Sequence, residues 1–379
     1  MSNFAFGTNR ISEHNPQHIT ALKEAIKSGI TMIDTSSNYM DGASERAISI
    51  ALNEFDDSLV DEIEIVSKYK LSQNLDEQLK LSLERLNRRS LNCYLIEYPE
   101  EFLIQAVGDG VSKDDRLDEM NAKFFDAFLD LELAVKDKKI ASYGISSDAF
   151  SLNHSSEYFL PYEDVLTLAG DAAREVGNEK HSFTTIELPI NLLEQEGLKC
   201  SSWAKENGVR VLANRVFNAQ KDNLNYRLAE YDQSREYYHH LNELMEVCDN
   251  DMLRPLYNLV EQLDETKHKF GWIGDYDSFL FTQMIPHIKN SLEVIDEDNR
   301  ETMLNFIDMF LTEYKKMVAY ECSRSTKIAL KDIFAECYSS MQECALRFLM
   351  QRESIDYIIV GMRKPSYVDE ILAPQSFKN

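Results

Sequence analysis

The chain of 379 residues has no excess of positive charge. Its 65 acidic residues stand against 40 basic ones, for a formal net charge of −25. That sign argues against nucleic acid or an anionic membrane as the main partner, because both need a cationic surface. There is no Cys-x-x-Cys pair. The six cysteines (Cys93, Cys200, Cys248, Cys322, Cys337 and Cys344) are scattered, which predicts free thiols in a reducing compartment. The start, Met1-Ser-Asn-Phe-Ala-Phe-Gly7, lacks a basic segment followed by an apolar one, so no signal peptide is expected. No apolar run nears the ~20 residues that a membrane helix needs. His14 and His18 are four apart, but without the Glu of a His-Glu-x-x-His run they predict no metal site. Internal repeats and low-complexity tracts are missing too. These absences predict a soluble, cytoplasmic protein.

What the chain does have is apolar material, 44% of its residues with 19 Phe and 18 Tyr, enough for a sizeable core. The length suits one large α/β domain with an insertion, or two domains. The organising stretch is Gly29-Ile-Thr-Met-Ile33 with the loop that follows it. The apolar run predicts a short buried strand that delivers Asp34 at its C-terminal end. A polar loop then carries Tyr39, and Ser44 and Glu45 open a helix. The next strand, Ile63-Glu-Ile-Val-Ser-Lys68, ends in a lysine. A phenol is a poor acid–base group at neutral pH, with an ordinary pKa near 10. A lysine beside it lowers that value, and an aspartate keeps the lysine charged and oriented.

Along the chain, Phe4–Gly7 predicts a first strand, and Asn15-Pro16 the start of a helix with Ile19, Leu22 and Ile26 on one face. Further strands are predicted at 91–96, 140–144, 184–191, 209–213 and 355–361, with helical patterns mostly between them. Eight alternating units predict a closed (β/α)8 TIM barrel of α/β class, with a doubly wound open sheet as the alternative. The polar residues Asp34, Lys68, Glu97, Ser146, Glu187, Asn214 and Arg363 fall at or just past strand C-terminal ends, which converge on one face of such a barrel.

Residues 218–337 read differently. They are acidic, helical in pattern and rich in Tyr and Phe, and they predict a helical insertion between strand 7 and strand 8, with the barrel made of 1–217 and 338–379. Asp298-Asn-Arg-Glu301 resembles a capping box, followed by a stripe of Met303, Ile307, Phe310, Tyr314 and Met317. Pro286 is expected to break or kink its helix. Such an insertion serves either as a lid or interaction module, or as a stability appendage.

The run Asp34-Thr-Ser-Ser-Asn-Tyr39-Met-Asp-Gly42-Ala-Ser44-Glu45, followed by a strand ending at Lys68, resembles the signature of the aldo-keto reductase superfamily. Gly144-Ile-Ser-Ser147 and Asn214-Arg215 are similar to its aldose or L-galactose dehydrogenase-like branch. The resemblance implies NAD(P)H-dependent reduction of a carbonyl, or oxidation of an alcohol or sugar lactol, without a metal. It implies Tyr39 as acid–base group, tuned by Lys68 and Asp34. In the family's usual histidine position stands Glu97, as in a double-bond-reducing steroid branch, which brings conjugated enones into view. The cofactor residues implied are Ser146, Ser147, Glu187, Asn214, Arg215, Gly361, Arg363 and Lys364. Arg363 and Lys364 suit a 2′-phosphate, favouring NADPH over NADH. Glu187 and Ile371 depart from the family pattern, and so does the missing aromatic after Asn214-Arg215. These departures support a rival reading, an impaired relative that senses cofactor or binds a protein partner through its insertion. With several carboxylates around one lysine, either Glu97 or Glu187 is expected to keep its proton near neutral pH.

Overall fold

The structure, a computed structural model, describes residues 3–372 apart from the side chain of Asp298. Eight strands carry the barrel: β1 (Asn3–Gly7), β2 (Met32–Asp34), β3 (Glu64–Tyr69), β4 (Cys93–Glu97), β5 (Tyr143–Ser146), β6 (Phe183–Pro189), β7 (Arg210–Asn214) and, after the hairpin β8 (Asn218–Lys221) and β9 (Leu224–Arg227), β10 (Tyr357–Val360). They close in the order β1-β10-β7-β6-β5-β4-β3-β2, and every neighbouring pair is parallel. This is the (β/α)8 barrel. Its strands are short and rich in β-branched residues, and they are buried on both faces, as a parallel sheet covered by helices must be. Ala5, Met32, Val66, Cys93, Leu95, Leu212 and Ile359 form one buried cluster drawn from six of the strands. The barrel is thus a packed core rather than a pore.

Two details set where the strand ends fall. The apolar stretch from Ile140 predicts a strand starting there, but Ile140 makes only an isolated bridge to Leu91, and β5 begins at Tyr143. The register shifts between Tyr143 and Gly144, where a Cβ on the glycine would collide with the Thr185 carbonyl. The first helix behaves as the sequence predicts: Asn15 accepts from the Gln17 N–H, Pro16 opens the helix, and Ile19, Leu22 and Ile26 are buried.

The chain divides into two compact units, Phe217–Ala345 and the remainder. The second unit is not helical from its start. It opens with the antiparallel hairpin β8–β9, turned by Asp222 and Asn223, both with positive φ, as tight hairpin turns require. The helices Tyr237–Cys248, Arg254–Thr266, Ile273–Phe279, Ile285–Leu292 and Glu297–Ala329 follow. The stripe Met303, Ile307, Phe310, Tyr314 and Met317 of the long helix is buried in their shared core. That helix starts earlier than its sequence suggests, because Asp296, not Asp298, caps it by accepting from the Asn299 N–H. Pro286 lies in the first turn of its helix, directly after a π-turn over Leu280–Met284. The expectation of six free thiols fails for one pair. Cys337 and Cys344 are joined in a disulfide, their Cα atoms 6.2 Å apart across the turn before the helix Met341–Met350, while the other four cysteines are free and buried. Among the described residues no helix is long and apolar enough to cross a membrane.

Candidate active site

The C-terminal ends of β2 to β7 present Asp34, Lys68, Glu97, Ser146, Glu187 and Asn214. Strand register makes them neighbours: Glu97 pairs with Ser146, and Ser146 with Glu187. At the centre is Lys68, fully buried. Its Nζ bonds to Asp34 Oδ1 and donates to the Thr35 carbonyl at 3.1 Å. It lies 3.2 Å from Glu187 Oε2 and 3.4 Å from the Tyr39 hydroxyl. Burial alone lowers the pKa of an ammonium, yet Asp34 and Glu187 beside Lys68 outweigh that and hold it charged, above its ordinary value.

The loop that brings in Tyr39 bends sharply, with Met40, Asp41 and Gly42 all at positive φ. Two residues of the sequence signature turn out to hold this loop. Ser44 donates to the carbonyls of Thr8 and Ile11, and the buried Glu45 binds Arg85 and Ser67, at 2.6 and 2.7 Å. Tyr39 itself has a partly exposed ring with its hydroxyl at the enclosed end against Lys68. Burial pushes that hydroxyl well above the ordinary tyrosine range. Lys68 pulls it down, but Asp34, Glu187 and Glu97 push it up again. The lowering by Lys68 that the sequence suggests is therefore present but outweighed.

Asp34 also departs from expectation. Its carboxyl is held well above the usual range, first by burial and then by Glu187, with Lys68 opposing. Two carboxyls thus flank one buried lysine, and the one whose proton affinity is raised is Asp34, the group expected to be the ionised partner of Lys68. Glu187 Oε1 accepts from Asn214 Nδ2 at 2.8 Å. Glu97 stands apart from this pair. Its Oε2 accepts both the Ser36 hydroxyl at 2.7 Å and Asn38 Nδ2 at 2.8 Å, so this oxygen is used as an acceptor.

The remaining residues read from the sequence fall in three places. Ser146 is at the end of β5, and Ser147 follows with its hydroxyl bound to Glu100 at 2.7 Å. Arg215 extends to Asp148 at 3.0 Å and Glu194 at 3.1 Å. Gly361, Arg363 and Lys364 follow β10, the two cations exposed immediately before the helix Pro365–Leu372, whose Ile371 is buried. Sequence reasoning missed Glu100, Asp148 and Glu194; the repeat of a glutamate three residues after Glu97 was the available signal. One further group, His239, His240 and Glu243, brings possible metal ligands within 4.8 Å of one another, but it lies in the helical unit and consists of contacts within about one helical turn.

Residues 3–219 match the Aldo/keto reductase family. No curated protein matches the chain. Among solved structures, an aldo/keto reductase from Klebsiella pneumoniae in complex with NADP and acetate is similar at 21% identity and a TM-score of 0.39, over 56% of this chain and 64% of that one. The chain thus spans less than two thirds of that protein's length. An aldo-keto reductase from Bacillus halodurans, in its holo form, is 14% identical with a TM-score of 0.47, over 100% of this chain and 87% of that one. A glycerol dehydrogenase from Gluconobacter oxydans is 15% identical with a TM-score of 0.48, over 99% and 87%. Likeness at this level carries nothing about substrate or cofactor. The family match covers more than half of the chain and includes the strands that bear Asp34, Lys68, Glu97, Ser146, Glu187 and Asn214, and the protein belongs to the aldo/keto reductase family.

Proposed function

We propose that the protein is an NADP(H)-dependent oxidoreductase of the aldose or L-galactose dehydrogenase-like kind. It reduces a small carbonyl or conjugated enone, or oxidises an alcohol or sugar lactol. The observation that carries this reading is Lys68, buried at a strand end between Asp34 and the Tyr39 hydroxyl. Tyr39 is the acid–base group, giving a proton to the substrate oxygen in reduction and taking it back in oxidation. Lys68 stabilises the phenolate left behind, and Asp34 fixes Lys68 in place. Glu97, held by Ser36 and Asn38, accepts a hydrogen bond from a substrate hydroxyl.

The buried Asn214 Oδ1, which has no hydrogen-bond partner among the described residues, suits an amide donor such as a nicotinamide carboxamide. Ser146, Glu187 and Asn214 form that end of the cofactor site, with Ser147, bound to Glu100, and Arg215 as its braces. Gly361, Arg363 and Lys364 take the 2′-phosphate, which selects NADPH over NADH. When bound, such a cofactor supplies or accepts the hydride.

Titrating NADPH and NADH by calorimetry tests the reading, and binding of neither overturns it. A second reading is favoured by the Tyr39 hydroxyl, held high by burial and three carboxylates. On that reading the protein is a disarmed relative that binds cofactor, acts on no substrate and serves a protein partner through the helical unit. NADPH binding without turnover on any carbonyl, enone or polyol would select it.

A further inference from the structure

We propose that Glu100 is a positioning residue of the barrel mouth, one that holds the segment Ser146–Ala149 in the conformation that presents Ser146 and Asp148. The inference rests on the reading of Ser146 and its neighbours as the cofactor end of the site. Glu100 is the first residue of the helix Glu100–Gly108 and is 3% exposed. A buried carboxylate is costly unless donors surround it, and here three converge. Oε2 accepts the Ser147 hydroxyl at 2.7 Å, and Oε1 accepts the Asp148 N–H at 2.6 Å and the Ala149 N–H at 3.2 Å.

The backbone bends to allow this. Tyr98, between Glu97 and Glu100, sits at φ +51°, a conformation uncommon for a non-glycine residue, and its N–H donates to the Ser146 carbonyl at 2.9 Å. The end of β4 is thus tied twice to the end of β5. The ties continue: Asp148 holds Arg215, itself at φ +56°, and Arg215 holds Glu194, which accepts from Asn191 at 2.7 Å. One polar network therefore spans the loops after β4, β5, β6 and β7, buried at both ends, at Glu100 and at Asn191. It also separates the two serines. The Ser147 hydroxyl serves Glu100, which leaves Ser146 for a ligand.

The carboxyl of Glu100 is pushed up to about 7 by burial, against the donors from Ser147 and Asp148. The titratable groups facing it are Asp148 and Tyr98. The ionised form is the stronger acceptor, so the grip on Asp148 and Ala149 tightens as pH rises past that value.

The test uses the full chain as wild type, Glu100→Gln, Glu100→Leu and Ser147→Ala at pH 6 and pH 8. Amide hydrogen exchange at Asp148 and Ala149 is read alongside NADPH titration. Glu100→Leu should speed exchange at both amides, corrected for intrinsic rate, and weaken NADPH, each by roughly tenfold. Glu100→Gln, which keeps an acceptor, should stay within about threefold of wild type and lose the pH step. Wild-type exchange in Glu100→Leu overturns the proposal. Faster exchange with unchanged NADPH affinity overturns it as well, by making Glu100 merely structural. If the wild type binds no NADPH, the oxidoreductase reading fails, and exchange at the two amides still decides whether Glu100 holds the segment. If Glu100→Leu does not fold, Ser147→Ala decides at Asp148, because the Ala149 N–H also donates to the Ser147 hydroxyl at 3.1 Å whereas the Asp148 N–H reaches Glu100 alone: unchanged exchange at Asp148 then overturns the proposal.

Discussion

Glu97 and Glu100 are three residues apart and serve different loops. Glu97 accepts from Ser36 and Asn38 after β2, whereas Glu100 accepts from Ser147, Asp148 and Ala149 after β5. The left-handed turn at Tyr98 makes the division possible, because it sends two carboxylates from one short segment in two directions. The mouth of the barrel is therefore built around acceptors held by donors. That arrangement leads to the following expectations.

Tyr39→Phe should lower turnover about a hundredfold or more and leave NADPH affinity within about threefold, since the ring remains and only the hydroxyl is lost. Steady-state kinetics with a cofactor titration checks this. Turnover that survives would place the proton donor elsewhere.

Arg363→Ala should weaken NADPH by roughly tenfold and NADH hardly at all, because a charge-assisted bond to the 2′-phosphate is lost. Calorimetry with both cofactors decides it. Equal losses would remove the phosphate-pairing argument.

Glu97→Gln keeps an acceptor for Ser36 and Asn38 but removes a charge. With a polyhydroxylated substrate, KM should rise about tenfold while cofactor affinity holds. Glu97→His should shift preference toward simple aldehydes. An unchanged KM would mean that Glu97 never meets the substrate.

Glu187→Gln should bring the Asp34 carboxyl down, because a negative neighbour that raises it is neutralised. The sign follows from linkage. A carboxyl raised in the folded state contributes stability that is complete below its ordinary value and lost as pH rises through the raised one. The variant should therefore gain on wild type as pH increases, and carbon NMR of Asp34 with denaturation at several pH values tests both halves. A gain that shrinks with rising pH would contradict Glu187 as a cause of the raised Asp34 carboxyl.

Glu45→Ala should destabilise the barrel by about 2 kcal/mol, since it leaves the buried Ser67 hydroxyl and the half-buried Arg85 guanidinium without their carboxylate. Chemical denaturation measures it. A loss well under about 1 kcal/mol would show that solvent reaches Arg85.

Local pattern predicted the barrel, and the family signature pointed to its central group. Alternating apolar runs and helical stripes fix which residues end each strand, and in a parallel barrel strand ends meet on one face. Asp34, Lys68, Glu97, Glu187 and Asn214 were legible for that reason, and Tyr39, on a loop, through its spacing from Asp34 and the resemblance to the family signature. Pairings between residues far apart in the chain were not. Glu45 finds Arg85 at a separation of 40, and Glu100 finds Ser147 at 47, distances over which periodicity carries no information. The hairpin β8–β9 and the Cys337–Cys344 disulfide were missed because a two-residue turn and a sulfur pair need backbone geometry to be recognised. Charge state was the last thing left to tertiary structure. The sequence counted the carboxylates around Lys68, but only burial and the approach of Glu187 decide that Asp34 is the one raised. Desolvation is a property of the packed site and has no counterpart in the order of residues.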